Sequence, residues 1–304
     1  MMGQFGENFF KGELREGFFV DSAMKGVWAA QIEILMEIDR ICKRNGIQYF
    51  AGFGTLLGTV RHQGYIPWDD DIDITMKRED YRRFLAAASE ELPEGWRTVN
   101  AYSDEKSVEA FTRIVNGERV NLEKDFLQKF HGCPYVVGVD IFPLDYIPRD
   151  KKEEDVLYLI LQHCFGIVWK VKLGNTEGLE QNLQEIEYMC NVQINRENNL
   201  IRQMLLLMDQ LAGLYRSEES DKLALLMFRP DPGTRAYMQY KKEWFSESIQ
   251  MPFENITIPV PAGYEELLRT IYGADYMTPK RYGALHDYPF YQKQEAELAA
   301  ARQL

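Results

Sequence analysis

Four aspartates crowd into one short segment that is bounded by apolar residues on both sides. The segment reads GTLLGTVRHQGYIPWDDDIDI over residues 54–74, and its acids are Asp69, Asp70, Asp71 and Asp73. Carboxylates packed this closely repel one another and raise each other's pKa unless a cation neutralises them. The last two alternate with isoleucines, and alternate side chains of a strand point to opposite faces. The pattern therefore predicts a strand that buries its isoleucines and projects Asp71 and Asp73 together into a cleft.

The same pair of carboxylates predicts a metal site. Neighbouring carboxylates on a rigid strand suit a hard cation such as Mg²⁺ or Mn²⁺, which keeps several waters and takes phosphate oxygens as further ligands. The segment YVVGVDIFPLD supplies a third acid, Asp140, which is also flanked by β-branched apolar residues. We predict that Asp71, Asp73 and Asp140 bind the metal, with Asp140 on a neighbouring strand.

Other interpretations of the acidic segment explain less of it. A solvated acidic turn is the usual explanation of consecutive aspartates, but it does not account for the alternation with isoleucine. An EF-hand loop needs Gly at position 6 and Glu at position 12, where this chain has Ile74 and Asp80. A glycosidase pair must flank a sugar bond from opposite sides, and acids on one strand face lie too close together for that. A metal site is therefore the favoured interpretation.

A phosphate-binding segment is predicted just before the acids. Gly54 and Thr55 join a predicted strand to a predicted helix. Gly54 allows a close backbone approach, the helix N-terminus presents free N–H groups, and Thr55 adds a hydroxyl. Arg61 follows about two turns later, where its guanidinium could bind a phosphate in a bidentate manner. A glycine near a helix start is often only structural, so this prediction depends on the acidic strand that follows.

Three further residues are candidates for substrate binding. Trp68 either lines the donor pocket or serves as a structural residue. Arg113, within FTRIV, could reach a phosphate from a strand or be an ordinary surface arginine. His286, near the C-terminal end of the chain, could contact phosphate or the acceptor.

Composition and charge limit the partners and the compartment. A net charge of −12 argues against a general nucleic-acid binder, which needs a basic face. The four cysteines contain no C-x-x-C pair, which is typical of reduced thiols in a cytoplasmic protein. The N-terminus lacks the features of a signal peptide, and the most apolar run, Val156–Trp169, is short for a membrane span. We expect a cytoplasmic protein without a transmembrane segment. Peripheral attachment to the inner face of the membrane stays open.

Hydrophobic spacing predicts a chain with both helices and strands. A long helix capped by Asp21 or Ser22 and ended by Gly46 precedes the acidic segment. Strands are predicted at residues 119–123 and 134–147, the latter broken at Pro143. Helical patterns fill residues 151–228.

The order of these motifs resembles the nucleotidyltransferase superfamily of polymerase-β type, which has Gly-Ser/Thr, then an alternating D-h-D-h, then a later h-D-h. The segment GTLLGTVRHQGYIPWDDDIDITMKREDYRRF resembles the LicD family of phosphocholine transferases. Fukutin and fukutin-related protein are distant members of that group and transfer ribitol phosphate. GVDIFPLDYIP and VPAGYEELLRTIYGADYMTPKRYGALH also resemble LicD sequence. The resemblance covers residues from about 25 to 150 and from about 250 to 290.

The resemblance implies a fold of the α+β class, a polymerase-β-like mixed sheet flanked by helices. Residues 1–150 would form the nucleotidyltransferase-like catalytic core. Residues 151–250 would be a mainly helical insertion or subdomain, and residues 251–304 would complete the catalytic domain with a strand and a helix.

The resemblance also implies an activity. Asp71 and Asp73 would bind the divalent metal and Asp140 would be the third acid. The enzyme would pass phosphocholine, or a related phosphoalcohol, from a CDP-linked donor to a hydroxyl of a cell-surface glycan such as lipopolysaccharide or teichoic acid, or of a lipid-linked precursor, and release CMP. CDP-choline is the favoured donor because it is the commonest implication of the resemblance and because aromatic faces of the chain could bind its quaternary ammonium group. Aromatic residues near the motifs are Tyr65, Trp68, Phe142, Tyr146, Tyr282 and Tyr288. The alternative is an enzyme of the same fold that transfers NMP to a small molecule and releases pyrophosphate.

Overall fold

The computed structural model describes residues 5–6, 8–228, 230, 233, 238–281 and 289–302. The chain divides into two compact units. The first comprises Met1–Thr98, Arg113–Ile141 and Glu247–Leu304, and the second comprises Val99–Thr112 and Phe142–Ser246. The domain boundaries predicted from the sequence stay a prediction, because compactness alone does not establish independent folding.

The helices and strands follow one another along the described part of the chain. The helices are α1 Ser22–Asn45, α2 Phe53–His62, α3 Arg78–Glu91, α4 Lys124–Lys129, α5 Lys151–Lys172, α6 Leu179–Cys190, α7 Leu200–Ala212, α8 Tyr264–Tyr272 and α9 Glu295–Ala301. The strands are β1 Glu13–Arg15, β2 Phe18–Val20, β3 Phe50–Ala51, β4 Asp73–Lys77, β5 Arg97–Val99, β6 Thr112–Val115, β7 Gly138–Ile147, β8 Lys222–Ala224, β9 Gln239–Lys241, β10 Ser248–Phe253 and β11 Ile256–Pro261.

The first unit is built around α1, whose ends were correctly predicted. The Asp21 side chain accepts a hydrogen bond from the Met24 N–H (2.8 Å) and caps the helix start. Gly46 ends the helix in the left-handed conformation, with φ of 61°, which glycine adopts without steric cost. Apolar side chains at helical spacing are buried along most of the helix. Burial of this face makes α1 the fixed support for the segments that carry the acids.

A sheet lies beside α1, with its strands in the order β3-β4-β7-β6-β5. β3 pairs antiparallel with β4, so that Phe50 lies opposite Thr75 and Ala51 opposite Ile74. The N–H of Asp140, at the start of β7, donates to the carbonyl of Ile72 (2.9 Å). This bond brings the two predicted acidic segments side by side. The α+β class, with a mixed sheet flanked by helices, is confirmed.

The second unit is mainly helical. Helices α5, α6 and α7 bury one apolar cluster, whose most enclosed members are Leu161, Cys164, Ile186 and Met208. The second half of β7 pairs antiparallel with β8, which pairs antiparallel with β9. In the part of the chain that the structure describes, no helix is both long and apolar enough to cross a membrane.

Three local predictions were wrong. The helical pattern predicted over residues 151–228 ends with α7 at Ala212, and Lys222–Ala224 form strand β8 instead. β7 continues through Pro143, since the fixed φ of proline suits extended backbone and only one N–H is lost from the strand. Residues 119–123 form no strand. There, the Asn121 side chain accepts a hydrogen bond from the Glu123 N–H (2.7 Å), a local turn that leads into α4.

Candidate functional site

The junction between β3 and α2 holds the backbone of Asp73. Gly52 donates its N–H to the carbonyl of Asp73 (2.9 Å). The Asp73 N–H donates to Thr55 Oγ1 (2.8 Å), and Thr55 is only 3% exposed. These two bonds fix the first residue of β4 against the first turn of α2. Thr55 therefore supports a predicted metal ligand, and its role in phosphate binding stays a prediction.

Helix α1 holds the preceding acids through their backbone. Trp28 Nε1–H donates to the carbonyl of Asp69 (3.0 Å), and Gln31 Nε2–H donates to the carbonyl of Asp70 (2.8 Å). The hydroxyl of Tyr65 donates to Gln31 Oε1 (2.9 Å) and orients the amide. The sequence-based set contains neither Trp28 nor Gln31. The available signal was a glutamine on the apolar face of α1, which needs a polar partner once it is buried.

Three consecutive carboxylates form a group that could hold a metal ion. Oxygens of Asp69, Asp70 and Asp71 all lie within 4.8 Å of one another. Asp70 is fully buried, and its Oδ2 accepts a hydrogen bond from the N–H of Phe290 (2.7 Å). Asp70 thus connects the acidic segment to the C-terminal part of the unit. Asp69 is a candidate ligand that the sequence-based set omits.

Crowding of the carboxylates changes their protonation. Burial raises the pKa of Asp69 well above its usual range, and the carboxylate of Asp71 raises it further. Burial also raises the pKa of Asp73, with added contributions from the charges of Asp71 and Asp140. We refer to Asp69, Asp71, Asp73 and Asp140 as the acid cluster. Of the three predicted metal ligands, Asp71 belongs to the close group with Asp69 and Asp70, whereas Asp73 is linked to Asp71 and Asp140 by the effects of their charges on its pKa. The metal-binding role of these residues stays a prediction.

Arg113, on β6, pairs with one acid of this cluster. Its guanidinium binds both oxygens of Asp140, at 2.5 Å from Nε and 2.6 Å from Nη2. The charge of Arg113 lowers the pKa of Asp73 and so opposes the effect of the acids. A Cβ at Gly138 would lie 2.7 Å from Arg113 Cγ and 2.8 Å from Cδ. Gly138 is therefore what allows the arginine side chain to cross β7 and reach Asp140.

Gly54 provides room for an acid at the start of α2. A Cβ on Gly54 would lie 2.5 Å from Asp69 Oδ2. The first turn of a helix carries unsatisfied N–H groups and favours negative charge. The carboxylate of Asp69 thus occupies the region beside the predicted phosphate-binding turn.

Arg61 lies at a surface pocket of about 460 Å³. Arg61 lines the pocket, and its Nη1 donates to the carbonyl of Tyr276 (3.0 Å). Trp68 follows the lining residue Pro67 and is half-buried. His286 lies outside the described residues.

The aromatic residues proposed for choline binding differ in exposure. Tyr65, Phe142 and Tyr146 are buried, and Tyr65 stacks on Trp28 with ring centres 4.4 Å apart. Tyr282 and Tyr288 lie outside the described residues. Trp68 is therefore the described member of that set with an accessible ring.

The donor chemistry of the acid cluster fits a hard divalent cation. Its ligand atoms are carboxylate oxygens, the type that Mg²⁺ and Mn²⁺ prefer. Burial is the main cause of the raised pKa values of Asp69 and Asp73, and the charges of neighbouring aspartates raise them further. A cation bound among these aspartates would relieve the repulsion between their charges.

Comparisons with known proteins agree with this arrangement. Residues 46–155 match the family described as LicD/FKTN/FKRP, nucleotidyltransferase domain. Over 254 residues, the chain is 28% identical to the lipopolysaccharide cholinephosphotransferase LicD of Haemophilus influenzae, covering 81% of this chain and 88% of that protein. It is also 44% identical over 138 residues to an uncharacterised protein of Rickettsia typhi, covering 44% of this chain and 38% of that protein. The matched region contains the acid cluster and its supports on β3, α2, β6 and β7, so residues 46–155 carry a domain of this family, and the chain is a transferase.

Proposed function

We propose that this protein transfers phosphocholine from CDP-choline to a hydroxyl of lipopolysaccharide, or of a related cell-surface glycan or lipid-linked precursor, and releases CMP. The observation that carries the proposal is the acid cluster, four carboxylates on two neighbouring segments, one of which pairs with Arg113. Similarity over 81% of the chain to a relative named for phosphocholine transfer to lipopolysaccharide supports the choice of substrates.

The acid cluster would hold Mg²⁺ or Mn²⁺ through Asp71, Asp73 and Asp140, with Asp69 as an additional ligand. A cation of this kind neutralises charge on phosphate oxygens and aligns the group that is transferred. Phosphoryl transfer depends mainly on such positioning and charge neutralisation. The hydrogen bonds from Gly52 to the Asp73 carbonyl and from the Asp73 N–H to Thr55 would keep that ligand in place.

The remaining candidates would bind the two substrates. Arg113 and Arg61 would contact donor phosphates, together with the turn at Gly54 and Thr55. Trp68 would contact the choline group. His286 would contact phosphate or the acceptor.

Asp140 has a second role in the proposal. A carboxylate offers about four lone-pair sites, so Asp140 retains acceptor capacity beyond its pair with Arg113. It could therefore accept the proton of the acceptor hydroxyl as well as complete the metal site.

The partners and compartment belong to the same proposal. The cysteines Cys42, Cys133, Cys164 and Cys190 are free thiols, which supports a cytoplasmic location. A lipid-linked acceptor would place the protein at the inner face of the membrane. The net charge of −12 supports the absence of a nucleic-acid partner.

A product assay tests the function. Purified protein with Mn²⁺ and lipopolysaccharide acceptor is given CDP-choline, CDP-ribitol or CDP-glycerol, and nucleotides are separated by chromatography. We expect CMP from CDP-choline in preference to the polyol donors. A parallel reaction with CTP and phosphocholine reports pyrophosphate, the product that the alternative NMP-transfer activity requires.

The control is Asp71→Asn with Asp73→Asn, which should release no CMP. Preference for a polyol donor would contradict the assignment of choline but would agree with phosphoalcohol transfer as the activity. Pyrophosphate without CMP would contradict phosphoalcohol transfer itself.

A further inference from the structure

A cation already lies against two aromatic rings beside the acid cluster. The guanidinium carbon of Arg281 lies 5.1 Å from the ring centre of Phe18 and 5.0 Å from that of Trp68. The two ring centres are 6.3 Å apart, and the ring planes meet at 65°. The rings therefore form an angled pair, with both distances within the range of cation–π attraction.

The aromatic pair borders the surface pocket. Arg281 Nη2 donates to the backbone carbonyl of Glu16 (3.4 Å), and the ring of His62 lies 6.4 Å from that of Trp68. Glu16 and His62 both line the pocket, together with Glu254. Its volume of about 460 Å³ is in the range of small-molecule sites. A ligand in the pocket would thus lie near Pro67, which directly precedes Trp68, and would meet Arg15 and Arg61 as well as the carboxylates of Glu16 and Glu254.

Arg281 is held weakly at this position. Its side chain is exposed, and the bond to Glu16 is at the long end of hydrogen bonds. Within the described ranges, no carboxylate lies in salt-bridge distance of Arg281. An exposed cation–π contact adds little attraction, so another cation could displace the guanidinium.

We propose that Phe18 and Trp68 form the subsite for the quaternary ammonium of choline, and that Arg281 occupies this subsite until choline displaces it. The inference rests on the proposed function. A trimethylammonium group has no hydrogen to donate, so proteins bind it through aromatic faces. Phe18 and Trp68 provide two such faces.

The position of Trp68 in the chain links this subsite to the chemistry. Trp68 directly precedes Asp69, and consecutive Cα atoms are about 3.8 Å apart. In phosphocholine, only an ethylene bridge and an ester oxygen separate the ammonium nitrogen from phosphorus. The proposed subsite and the acid cluster therefore occupy consecutive positions of the chain, and the donor's short choline-to-phosphate link matches that proximity.

Calorimetric titration with CDP-choline and with CMP, both in the presence of Mn²⁺, tests the subsite. We expect Trp68→Leu and Phe18→Leu each to weaken CDP-choline binding by between about two- and thirtyfold. Binding of CMP, which lacks choline, should stay unchanged. Trp68→Phe keeps a ring face and should retain most of the affinity, which separates loss of the ring from loss of folding.

A matched tryptophan in the helical unit serves as the control. Trp169 is 49% exposed, the ammonium of Lys172 lies 5.7 Å from its ring centre, and Phe165 lies 6.2 Å away. Trp169→Leu should leave CDP-choline binding unchanged. Arg281→Met, which removes the resident cation, should strengthen it.

Three results would overturn the subsite. The first is that Trp68→Leu weakens CDP-choline binding no more than Trp169→Leu does. The second is that Trp68→Leu weakens CMP binding as much as CDP-choline binding. The third is that Arg281→Met binds CDP-choline more weakly than the wild type. If the wild-type protein turns over CDP-choline while Trp68→Leu and Phe18→Leu bind it normally, the subsite fails and the proposed function stands. If the wild-type protein instead prefers CDP-glycerol, the choline donor and the subsite both fail.

Discussion

Thr55 Oγ1 accepts a hydrogen bond from the backbone N–H of Asp73 at 2.8 Å. A hydroxyl predicted to bind phosphate is thereby engaged in holding the first residue of β4. Thr55→Val removes the acceptor and leaves that N–H without its partner. We expect this variant to lose about 1–3 kcal/mol of unfolding free energy, measured by urea denaturation.

Thr55→Ser keeps the oxygen and provides the control, with a smaller expected loss. If Thr55→Val unfolds like the wild type and raises only the KM for the donor, the hydroxyl acts on phosphate rather than on β4.

Cation binding should stabilise the protein. A ligand that binds only the folded state adds about 2.7 kcal/mol when present at a hundred times its Kd. We expect Mg²⁺ or Mn²⁺ to raise the Tm of the wild type. Asp71→Asn with Asp73→Asn should remove this shift and leave a folded protein.

The matched variant is Glu123→Gln with Asp125→Asn, which removes the same charge outside the acid cluster. It should keep the wild-type shift. A full metal-induced shift in the Asp71, Asp73 double variant would place the cation elsewhere.

The raised pKa of Asp73 predicts a pH dependence of stability in metal-free protein. Burial raises this pKa in the folded state, so the folded state binds the proton more tightly than the unfolded state does. The resulting stabilisation is fully present below the ordinary aspartate pKa of about 3.9. It is lost as the pH rises through the raised folded pKa.

The measurement compares wild type and Asp73→Asn by urea denaturation in EDTA from about pH 4 upward. We expect the variant to gain stability relative to the wild type as the pH rises, because it carries no charge at this position. A difference that does not change with pH would mean that Asp73 ionises normally.

Local patterns in the sequence predicted strand β4, which begins at Asp73 and not, as predicted, at Asp71. The contacts of the acids depend on tertiary packing. The alternation of Asp71 and Asp73 with isoleucine predicted that Ile72 and Ile74 are buried, and both are fully buried. Asp69 continues the same alternation, but no isoleucine flanks it. The isoleucine pattern therefore did not identify Asp69 as a candidate ligand.

The contacts that hold the site come from distant segments. Arg113 reaches Asp140, Phe290 reaches Asp70, and Trp28 reaches Asp69. No periodicity within one segment specifies such contacts, because they follow from how helices and strands pack together. Gly138 leaves space for the Arg113 side chain. A local sequence pattern does not predict this role, because it depends on the position of a side chain from another strand.

Gly54 should affect the acid cluster without weakening the helix. An added Cβ would clash with the carboxylate of Asp69, which can rotate away. Alanine also favours a helix by about 1 kcal/mol over glycine. We expect Gly54→Ala to keep its stability in EDTA and to show a smaller Mn²⁺-induced shift in Tm.

Gly58→Ala is the matched control on the same helix. Its Cβ would meet the backbone oxygen of Gly64, which cannot rotate away, so we expect a loss of about 1–3 kcal/mol. A normal Mn²⁺ response in Gly54→Ala would show that Asp69 does not contribute to the cation site.

The pair between Arg113 and Asp140 predicts that metal affinity and catalysis respond in opposite directions. Arg113 binds both oxygens of Asp140 and places a positive charge where the cation would bind. Arg113→Met should therefore tighten Mn²⁺ binding by at least about threefold, measured by electron paramagnetic resonance of free Mn²⁺. Its turnover should fall, because the arginine is also expected to contact the donor phosphate.

Three variants complete this test. Gly138→Ala should mimic Arg113→Met, since the added Cβ displaces the arginine side chain. Asp140→Asn should lower turnover by orders of magnitude in a folded protein, because an acid at the metal acts mainly on the transition state. Arg97→Met removes a surface arginine that pairs with Glu118 at 3.0 Å and should change neither quantity. Weaker Mn²⁺ binding in Arg113→Met would show that the arginine organises Asp140 for the cation instead of competing with it.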